Sequence, residues 1–393
     1  MSLLPVAEAQ ARLFALATPV AAETVPLDDA IGRWTAAPVP ALRTQPWADL
    51  SAMDGYALRF AELPGPFVVV GESAAGRMLD RALKPGEAAR IFTGAAMPAG
   101  ADVVLLQEEA RREGDRLWRD GEGPARAGSH VRFAGSDFRS GEILIAAGER
   151  LAPAHLGLAA LAGYGALPVR RRVRVALIAT GDELAAPGAA LVEGVLPASN
   201  GPMLRGLLVG LPVEIVDLGI LPDRLDVLTA AFAAVDADIL VTTGGASVGD
   251  HDLVRPALDA AGADIDFWRI AMKPGKPLMA GRLRDMVALG LPGNPVSAFV
   301  TATLFLKPLV AALSGAASPA PVTLPGILGG DVPPTSNRAE YLRATIADGR
   351  LIAVSTQDSA ALRALASAGA LIARQPHAPA AQAGDSCEWL SLT

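Results

Sequence analysis

The sequence predicts a multidomain α/β plus β protein: an open, mostly parallel α/β sheet domain, a helical domain split by a β-rich insert, and a small C-terminal β-barrel. Three observations predict it. The chain has 393 residues, which is too long for one ordinary hydrophobic core. Hydrophobic residues make up 51% of it and charged residues 19%, as is typical of folded globular proteins. Strand-like and helix-like segments alternate over residues 171–317, whereas short strands between Gly and Pro turns fill residues 46–137 and 318–393.

The predicted helical domain comprises residues 1–45 and 138–170. Residues 3–45 have a mostly helical texture punctuated by Pro5 and Pro19, and residues 153–161 are the clearest helix of the second part. The insert at 46–137 contains four β-like runs, at 67–70, 89–92, 103–107 and 116–118. We therefore expect a helical region interrupted by a β domain.

Residues 171–317 contain the clearest alternation of strands and helices. Residues 173–179 form a continuous apolar run, as expected of a strand buried on both faces. The segments that follow are a helix at 200–208, a strand at 213–218, a helix from Pro222 and Asp223 to 235, a strand at 238–242, a helix at 252–261, an extended run at 266–272, a hairpin at 273–280, a strand at 286–291 and a helix at 296–313. Ligands of such sheets bind outside the carboxyl ends of the strands.

The C-terminal region, residues 318–393, returns to short strands and turns. The predicted strands are 321–327, 341–347, 351–356, 370–373 and a last one near Trp389. A small β-barrel fits this pattern.

Composition argues against several classes of function. The net charge of −7 argues against a nucleic-acid binder. The only cysteine, Cys387, cannot form an intrachain disulfide, and the four scattered histidines make a zinc site unlikely by spacing. Residues 1–17 have no basic segment before their apolar part, and the apolar stretch 296–313 is broken by Lys307 and Pro308. We therefore expect a cytoplasmic protein without a membrane segment.

Four loops of the α/β region fall where its ligand should bind. They are Thr180-Gly-Asp-Glu-Leu184, Gly244-Gly-Ala-Ser-Val-Gly-Asp-His-Asp252, Lys273-Pro-Gly-Lys276-Pro and Pro292-Gly-Asn-Pro-Val-Ser297.

Each of these loops has a use in binding anions. The glycines of the second loop let backbone N–H groups turn toward an anion, and Ser247 adds a hydroxyl donor. Asn294 is a suitable N-cap with Pro295 at the first helical position. Lys273 and Lys276 are two of only four lysines in a chain with 30 arginines, and they add compact positive charge. Together these groups predict an oxyanion site.

Carboxylates at the same edge of the sheet need a different explanation, because they repel oxyanions. Asp182, Glu183, Asp223 and Asp252 offer hard oxygen ligands that suit Mg²⁺, which bridges to phosphate oxygens. Each motif alone has a simpler interpretation: the Gly-Gly loop as a turn, Pro292 to Pro295 as helix capping, the acidic pair as solvated surface charges. The hypothesis depends on all four loops meeting at one edge.

The insert carries a cluster of its own, Ser51-Ala-Met-Asp-Gly-Tyr-Ala57. Taken alone, Asp54-Gly55 and Thr93-Gly94 are interpreted as turns.

These motifs resemble, over nearly the whole chain, those of the molybdopterin molybdenumtransferase family (molybdenum insertases), which includes the C-terminal domain of gephyrin. The segments that carry the resemblance are SAMDGYA at Ser51, IFTGAAMPAGADVV at Ile91, VRFAGSDFRSGE at Val131, ATGDEL at Ala179, SNGPML at Ser199, GGASVGDHD at Gly244, AMKPGKP at Ala271 and GLPGNPVSA at Gly290. Their order and spacing make the match specific.

The resemblance implies an elongated four-domain homodimer, whose cleft lies between the α/β domain of one subunit and the insert of the other. It implies adenylylated molybdopterin and molybdate as substrates, insertion of molybdate into the dithiolene, and Mg²⁺-dependent release of AMP. It also suggests a molybdopterin adenylyltransferase as the partner that delivers the substrate.

Site residues follow from the resemblance by motif position. The implied catalytic residues are Asp54, Thr93, Glu183, Asp223, Asp252 and Lys273, of which Glu183, Asp223 and Asp252 are the implied metal ligands. The implied substrate-binding residues are Asp137, Thr180, Gly181, Asp182, Asn200, Gly244, Gly245, Ser247, Gly249, Arg269, Lys276, Pro292, Gly293, Asn294, Pro295, Ser297, Arg343 and Ser359.

Two positions depart from the family pattern, and two other functions remain as alternatives. Ala198 stands where an Asp is common, and Arg269 where a Lys is common. The first alternative is a molybdopterin adenylyltransferase of the same superfamily fold, which needs only the α/β domain. The second is a non-catalytic dimeric scaffold.

Overall fold

A mixed six-stranded sheet forms the centre of the α/β domain. The structure is a computed structural model that describes residues 3–190, 192–244 and 253–392. The strands are β1 (Val173–Thr180), β2 (Val213–Leu221), β3 (Ile239–Thr243), β4 (Asp264–Arg269), β5 (Pro277–Leu283) and β6 (Met286–Leu291). Their order is β2-β1-β3-β6-β5-β4. The first four strands are parallel, and β5 and β4 continue the sheet with antiparallel pairs.

Helices cover both faces of this sheet. They are α1 (Asn200–Leu208), α2 (Leu225–Ala234), α3 (Val254–Ala260) and α4 (Pro295–Thr301). One face packs α1 and α4 around Val175, and the other packs α2 and α3 around Ala176. This burial on two faces explains the continuous apolar run of β1. Strand and helix order agree with the prediction, except that α2 begins at Leu225; the predicted start of α3 at Asp252 lies outside the described residues.

The helix after β6 changes its winding in the core. From α4 it passes through a π-helical segment, Ala302–Leu306, into α5 (Lys307–Leu313). Pro308 has no N–H group, so it cannot donate the α-helical bond to the carbonyl of Leu304. The side chain of Gln10 donates a hydrogen bond of 2.8 Å to that carbonyl instead. The stretch Pro295–Leu313 is long and apolar enough to cross a membrane, but 78% of it is buried in the protein, so it is a core helix as predicted.

The N-terminal region corrects one prediction, because residues 3–45 are not mostly helical. Only Val6–Leu16 and the short Leu27–Ala30 are α-helices there. Ala22–Pro26 is a strand that pairs antiparallel with Ala166–Arg170, about 140 residues away, and Val39–Pro40 pairs with Ile143–Ile145. The long-range partner decides the conformation of such a strand, and local texture does not reveal it. The predicted second helix is Pro153–Ala162.

The insert is β-rich, as predicted. Its six-stranded sheet has the order Val103–Leu106, Gly55–Leu58, Glu87–Ile91, Phe67–Ser73, Arg116–Arg119, Ala110–Glu113. Short 3-10 helices lie at Phe60–Glu62 and Gln107–Glu109. The short strands Leu50–Ser51 and Val131–Arg132 pair beside it.

The C-terminal domain is a β-sheet domain. Its strands are Leu324–Ile327, Ala339–Ala347, Arg350–Ala353, Ala370–Arg374 and Ser386–Ser391, with a short helix at Leu362–Ala366. Leu328 forms a bridge with Leu351, which brings the first and third strands together. Closure into a barrel stays a prediction.

One strand connects this domain to the α/β domain. Met272–Lys273 pairs in parallel with Ala339 and Glu340. The predicted hairpin is confirmed, because β4 pairs antiparallel with β5 and residues 270–276 connect them. Lys273, in this connection, pairs in addition with the C-terminal domain.

Candidate functional site

A cleft of about 1160 Å³ lies at the carboxyl ends of β1, β3 and β6. Loops of the C-terminal domain form its other wall. The cleft brings together most of the residues predicted for the site: Thr180, Gly181, Glu183, Asn200, Asp223, Gly244, Lys273, Lys276, Pro292, Gly293, Asn294, Pro295, Ser297 and Ser359. Four further predicted residues, Gly245, Ser247, Gly249 and Asp252, lie outside the described residues.

Gly244, directly after β3, packs against the end of β1. Its φ of +94° is in the left-handed region, and a Cβ built there would lie 2.4 Å from the backbone oxygen of Thr180. Only glycine meets both conditions without strain. This close approach places Gly244, where the second of the four loops begins, beside the end of β1.

Two buried polar atoms on the cleft wall have no hydrogen-bond partner among the described residues: Thr180 Oγ1 and Asn200 Oδ1. The amide nitrogen of Asn200 donates to the carbonyl of Gly293 at 2.8 Å, which orients the side chain. A buried polar atom without a partner costs the folded protein free energy. These two atoms are therefore candidates for contacts with a ligand.

The N-terminus of α4 is partly occupied by the C-terminal domain. Asn294 is the N-cap and Pro295 the first helical residue, as predicted, but Asn294 makes no capping bond. Its side chain donates to Ser359 Oγ at 3.1 Å, and the N–H of Val296 donates to the carbonyl of Ser359 at 3.1 Å. The N–H of Val296 is therefore already bonded within the protein and is not free to bind an anion.

Positive charge on the cleft wall comes from three side chains, Lys273, Lys276 and Arg338. Lys273 is half-exposed, and its Nζ lies 3.7 Å from Oε1 of the buried Glu340. Sequence reasoning missed Arg338. Arg338 directly precedes the strand Ala339–Ala347, whose residue Glu340 pairs with Lys273, and this pairing brings Arg338 to the cleft.

Two carboxylates on the α/β side line the cleft, those of Glu183 and Asp223, and Asp182 lies beside them. The N–H of Asp223 donates to Asp182 Oδ1 at 3.1 Å, which fixes the segment before α2. Burial raises the pKa of Asp223, and the charges of Asp182 and Glu183 raise it further. Within the described residues, no group of three or more His, Cys, Asp or Glu side chains is already arranged to hold a metal ion.

The insert carries the pair Asp54 and Thr93. Asp54 Oδ1 accepts hydrogen bonds from the backbone N–H of Thr93 at 2.7 Å and from its hydroxyl at 2.8 Å. These two bonds, with a smaller contribution from Arg90, lower the pKa of Asp54. Neither residue lines the cleft of its own chain.

Four other predicted residues also lie outside the cleft lining: Asp137, Asp182, Arg269 and Arg343. Asp182 is exposed next to it, and the carbonyl of Arg269 accepts the N–H of Leu4. Asp137 is exposed, and its N–H donates to the carbonyl of Gln45.

Arg343 lies behind the cleft wall. Its side chain is 1% exposed and contacts the loop that forms this wall, so it is not among the lining residues. Its role in substrate binding stays a prediction, whereas Arg338 of the same domain does line the cleft.

Comparison with protein families matches three regions. Residues 4–163 match the MoeA N-terminal region (domain I and II). Residues 176–312 match the probable molybdopterin binding domain, and residues 325–392 match the MoeA C-terminal region (domain IV).

Individual relatives and structures agree with these matches. The molybdopterin molybdenumtransferase of Bacillus subtilis is 32% identical over 387 residues, covering 94% of this chain and 89% of the relative. That of Haemophilus influenzae is 36% identical over 301 residues, covering 76% and 74%. The molybdopterin biosynthesis moeA protein of Pyrococcus horikoshii OT3 has a TM-score of 0.85 at 26% identity, covering 99% of this chain and 100% of that structure. The chain therefore belongs to the molybdopterin molybdenumtransferase family, whose enzymes act in molybdenum cofactor biosynthesis.

Proposed function

We propose that this chain inserts molybdate into adenylylated molybdopterin and releases AMP in a Mg²⁺-dependent step. The observation that carries the proposal is the composition of one cleft, whose described lining includes the cationic side chains of Lys273, Lys276 and Arg338 together with the carboxylates of Glu183 and Asp223. The cations suit the oxyanions of molybdate and phosphate. The carboxylates suit a divalent cation that offsets the charge of a phosphoanhydride.

The cleft residues have separate roles in this proposal. Lys273, Lys276 and Arg338 neutralise oxyanion charge. The hydroxyl of Thr180 and the amide oxygen of Asn200, which have no partner among the described residues, position the organic part of the substrate by hydrogen bonds. Holding both reactants in one cleft converts an encounter in solution into a reaction between oriented groups.

Magnesium fits the acidic end of the cleft. Glu183 and Asp223 line the cleft with Asp182 beside them, and burial first, then the charges of Asp182 and Glu183, raise the pKa of Asp223. A bound Mg²⁺ neutralises charge on phosphate oxygens and stabilises a leaving phosphate. Asp252 is the further ligand that we propose from its motif. Glu183 and Asp223 would hold the ion, while Asp182 keeps the backbone of Asp223 in place.

The insert acts through the dimer in this proposal. Asp54 and Thr93 do not line the cleft of their own chain, yet the low pKa of Asp54 keeps its carboxylate charged. We infer that the chain is a homodimer in which this pair, with Asp137, faces the cleft of the partner subunit. The proposed site of action is the cytoplasm, where a molybdopterin adenylyltransferase delivers the substrate.

The alternative functions are less favoured. An adenylyltransferase needs only the α/β domain, whereas the family matches also extend over residues 4–163 and 325–392. A scaffold without catalysis does not need the unpartnered polar atoms of the cleft.

The experiment that tests the proposal is incubation of the purified protein with adenylylated molybdopterin, Mg²⁺ and molybdate. We expect release of AMP that requires both molybdate and Mg²⁺. Asp54→Ala should abolish this release while the dimer stays intact in size-exclusion chromatography. In a parallel reaction with molybdopterin and ATP, consumption of ATP without release of AMP would support the adenylyltransferase. An unaltered rate of AMP release in Asp54→Ala would contradict the role of the insert.

A further inference from the structure

We propose that Arg343 is a positioning residue, whose buried guanidinium fixes residues 354–360 of the C-terminal domain as one wall of the cleft. The inference rests on the proposed function, because it assigns a role in that cleft. In this proposal Arg343 affects the substrate by holding residues 354–360 in place and does not contact the substrate itself.

Burial is the first observation. The Arg343 side chain is 1% exposed, and it is one of the largest fully buried side chains of the described residues. A guanidinium stays charged in proteins, so its burial is costly unless its N–H groups are satisfied. Within the described part of the chain it forms no ion pair; its partners are neutral oxygen atoms. A buried guanidinium with this free-energy cost indicates that Arg343 has a specific structural role.

Its contacts identify the task. Nη2 donates to the carbonyl of Thr356 at 3.0 Å, Nε to Gln357 Oε1 at 3.3 Å, and Nη1 to the carbonyl of Asp358 at 2.7 Å. One planar fork thus holds three consecutive residues. A lysine has a single ammonium and cannot reproduce this geometry.

The side chain of Gln357, in the loop, also forms hydrogen bonds with the backbone of Arg343. Its Oε1 accepts the backbone N–H of Arg343 at 3.1 Å, and its Nε2 donates to the carbonyl of Arg343 at 3.0 Å and to that of Val354 at 2.9 Å. The two side chains therefore form one reciprocal unit, and loss of either should release the same loop.

The held loop faces the cleft on its other side. Gln357, Asp358 and Ser359 all line it. The carbonyl of Asp358 turns toward Arg343, and in a trans peptide the following N–H, that of Ser359, points the opposite way. Ser359 is also held on its cleft side, because its hydroxyl accepts a hydrogen bond from Asn294 and its carbonyl accepts one from the N–H of Val296. Arg343 thus sets the position of Ser359 without contacting the ligand.

The test compares Arg343→Lys, Gln357→Ala and the double variant with wild type, and uses Arg350→Lys, an exposed arginine of the same domain, as control. The readouts are kcat and KM for molybdate in AMP release, with Tm to confirm folding. We expect each single variant to raise KM about tenfold, the double variant to be no worse than the worse single variant, and the control to match wild type.

Several outcomes would overturn the inference. A KM that rises in Arg343→Lys but not in Gln357→Ala, or effects that multiply in the double variant, would mean that Arg343 acts independently of the loop. Unchanged KM in both variants would mean that the loop does not affect the site. If Arg343→Lys does not fold, Gln357→Ala decides alone, because it leaves the buried charge in place.

A second measurement separates this inference from the proposed function. If the wild type releases no AMP, the proposed function fails, and hydrogen exchange of residues 354–360 still tests the loop. We expect faster exchange there in Arg343→Lys and in Gln357→Ala, and unchanged exchange in the strand Ser386–Ser391. Equal exchange in all variants would refute the role of Arg343.

Discussion

Replacing Gly244 by alanine tests whether close packing at the end of β3 shapes the cleft. The new Cβ would lie 2.4 Å from the backbone oxygen of Thr180, and real Cβ atoms essentially never come closer than 3.0 Å. Because the obstacle is backbone rather than a flexible side chain, the loop must move. The displacement should remove the approach of Gly293, whose own Cβ would lie 3.6 Å from Gly244 Cα.

The cost has two parts. The left-handed φ of +94° costs a non-glycine residue about 1–2 kcal/mol. Relief of the overlap costs about 1–3 kcal/mol, as in other overpacked sites. The sum, about 2–5 kcal/mol, corresponds to a fall in the Tm of the α/β domain on the order of 10 °C. Differential scanning calorimetry measures it, and AMP release should fall in parallel.

Gly262→Ala is the matched control. Gly262 has a similar φ of +87°, but no atom lies within 4 Å of its built Cβ, so this substitution carries the conformational cost alone. We expect Gly262→Ala to lose about 1–2 kcal/mol and to keep its activity. Equal losses of stability in the two variants would refute the argument from overlap.

Three further predictions follow from the charges of the structure. The raised pKa of Asp223 means that its ionisation destabilises the folded state, so this contribution to stability is present below the ordinary pKa of an aspartic acid and lost as pH rises through the raised value. Urea unfolding of Asp223→Asn should lack this loss, and parallel pH profiles of variant and wild type would contradict the cause. Glu340→Gln should lower the KM for molybdate a few-fold, to roughly one half to one fifth, because it removes a buried carboxylate 3.7 Å from Lys273 Nζ; a raised KM would show that Glu340 instead helps the lysine to bind. Thr93→Val should raise the pKa of Asp54 toward its ordinary value by removing one of two hydrogen bonds, which carboxyl NMR titration measures; an unchanged pKa would assign the shift to the backbone bond alone.

The inner strands β1, β3 and β6 of the central sheet were largely predictable because they are buried on both faces. Continuous apolar runs such as that of β1 result directly from this burial, and the loops at its carboxyl edge carry glycine, proline and charge for reasons that spacing reveals. The end of β6 and the N-cap at Asn294 were placed to the residue.

Features that depend on distant partners were not predictable in this way. Ala22–Pro26 is a strand because Ala166–Arg170 pairs with it, and the hairpin tip forms the short strand Met272–Lys273 because Ala339 and Glu340 lie in register with it. Asp54-Gly55 was interpreted as a turn, yet the glycine starts a strand, and its built Cβ would overlap the backbone oxygen of Leu105. Each of these outcomes is decided by a residue far away in sequence.

The arginines of the C-terminal domain illustrate the same limit. Arg338 and Arg343 lie five residues apart and look equivalent as candidate anion ligands. Position along a strand separates them: Arg338 precedes Ala339–Ala347 and reaches the cleft, whereas Arg343 lies within it and is buried. Only the packing of the domain reveals which of the two arginines lines the cleft.

The two-residue strand at Met272–Lys273 has a consequence for how the enzyme can move and evolve. Because its hydrogen bonds join Ala339 and Glu340, a rigid rotation of the C-terminal domain would carry the ammonium of Lys273 with it. A chimera that combines this domain with the α/β domain of a relative would then keep the cleft intact only if both source proteins have the same strand register between these two segments. The packing of the last domain and the position of the Lys273 ammonium in the cleft are thus coupled through one pair of strands.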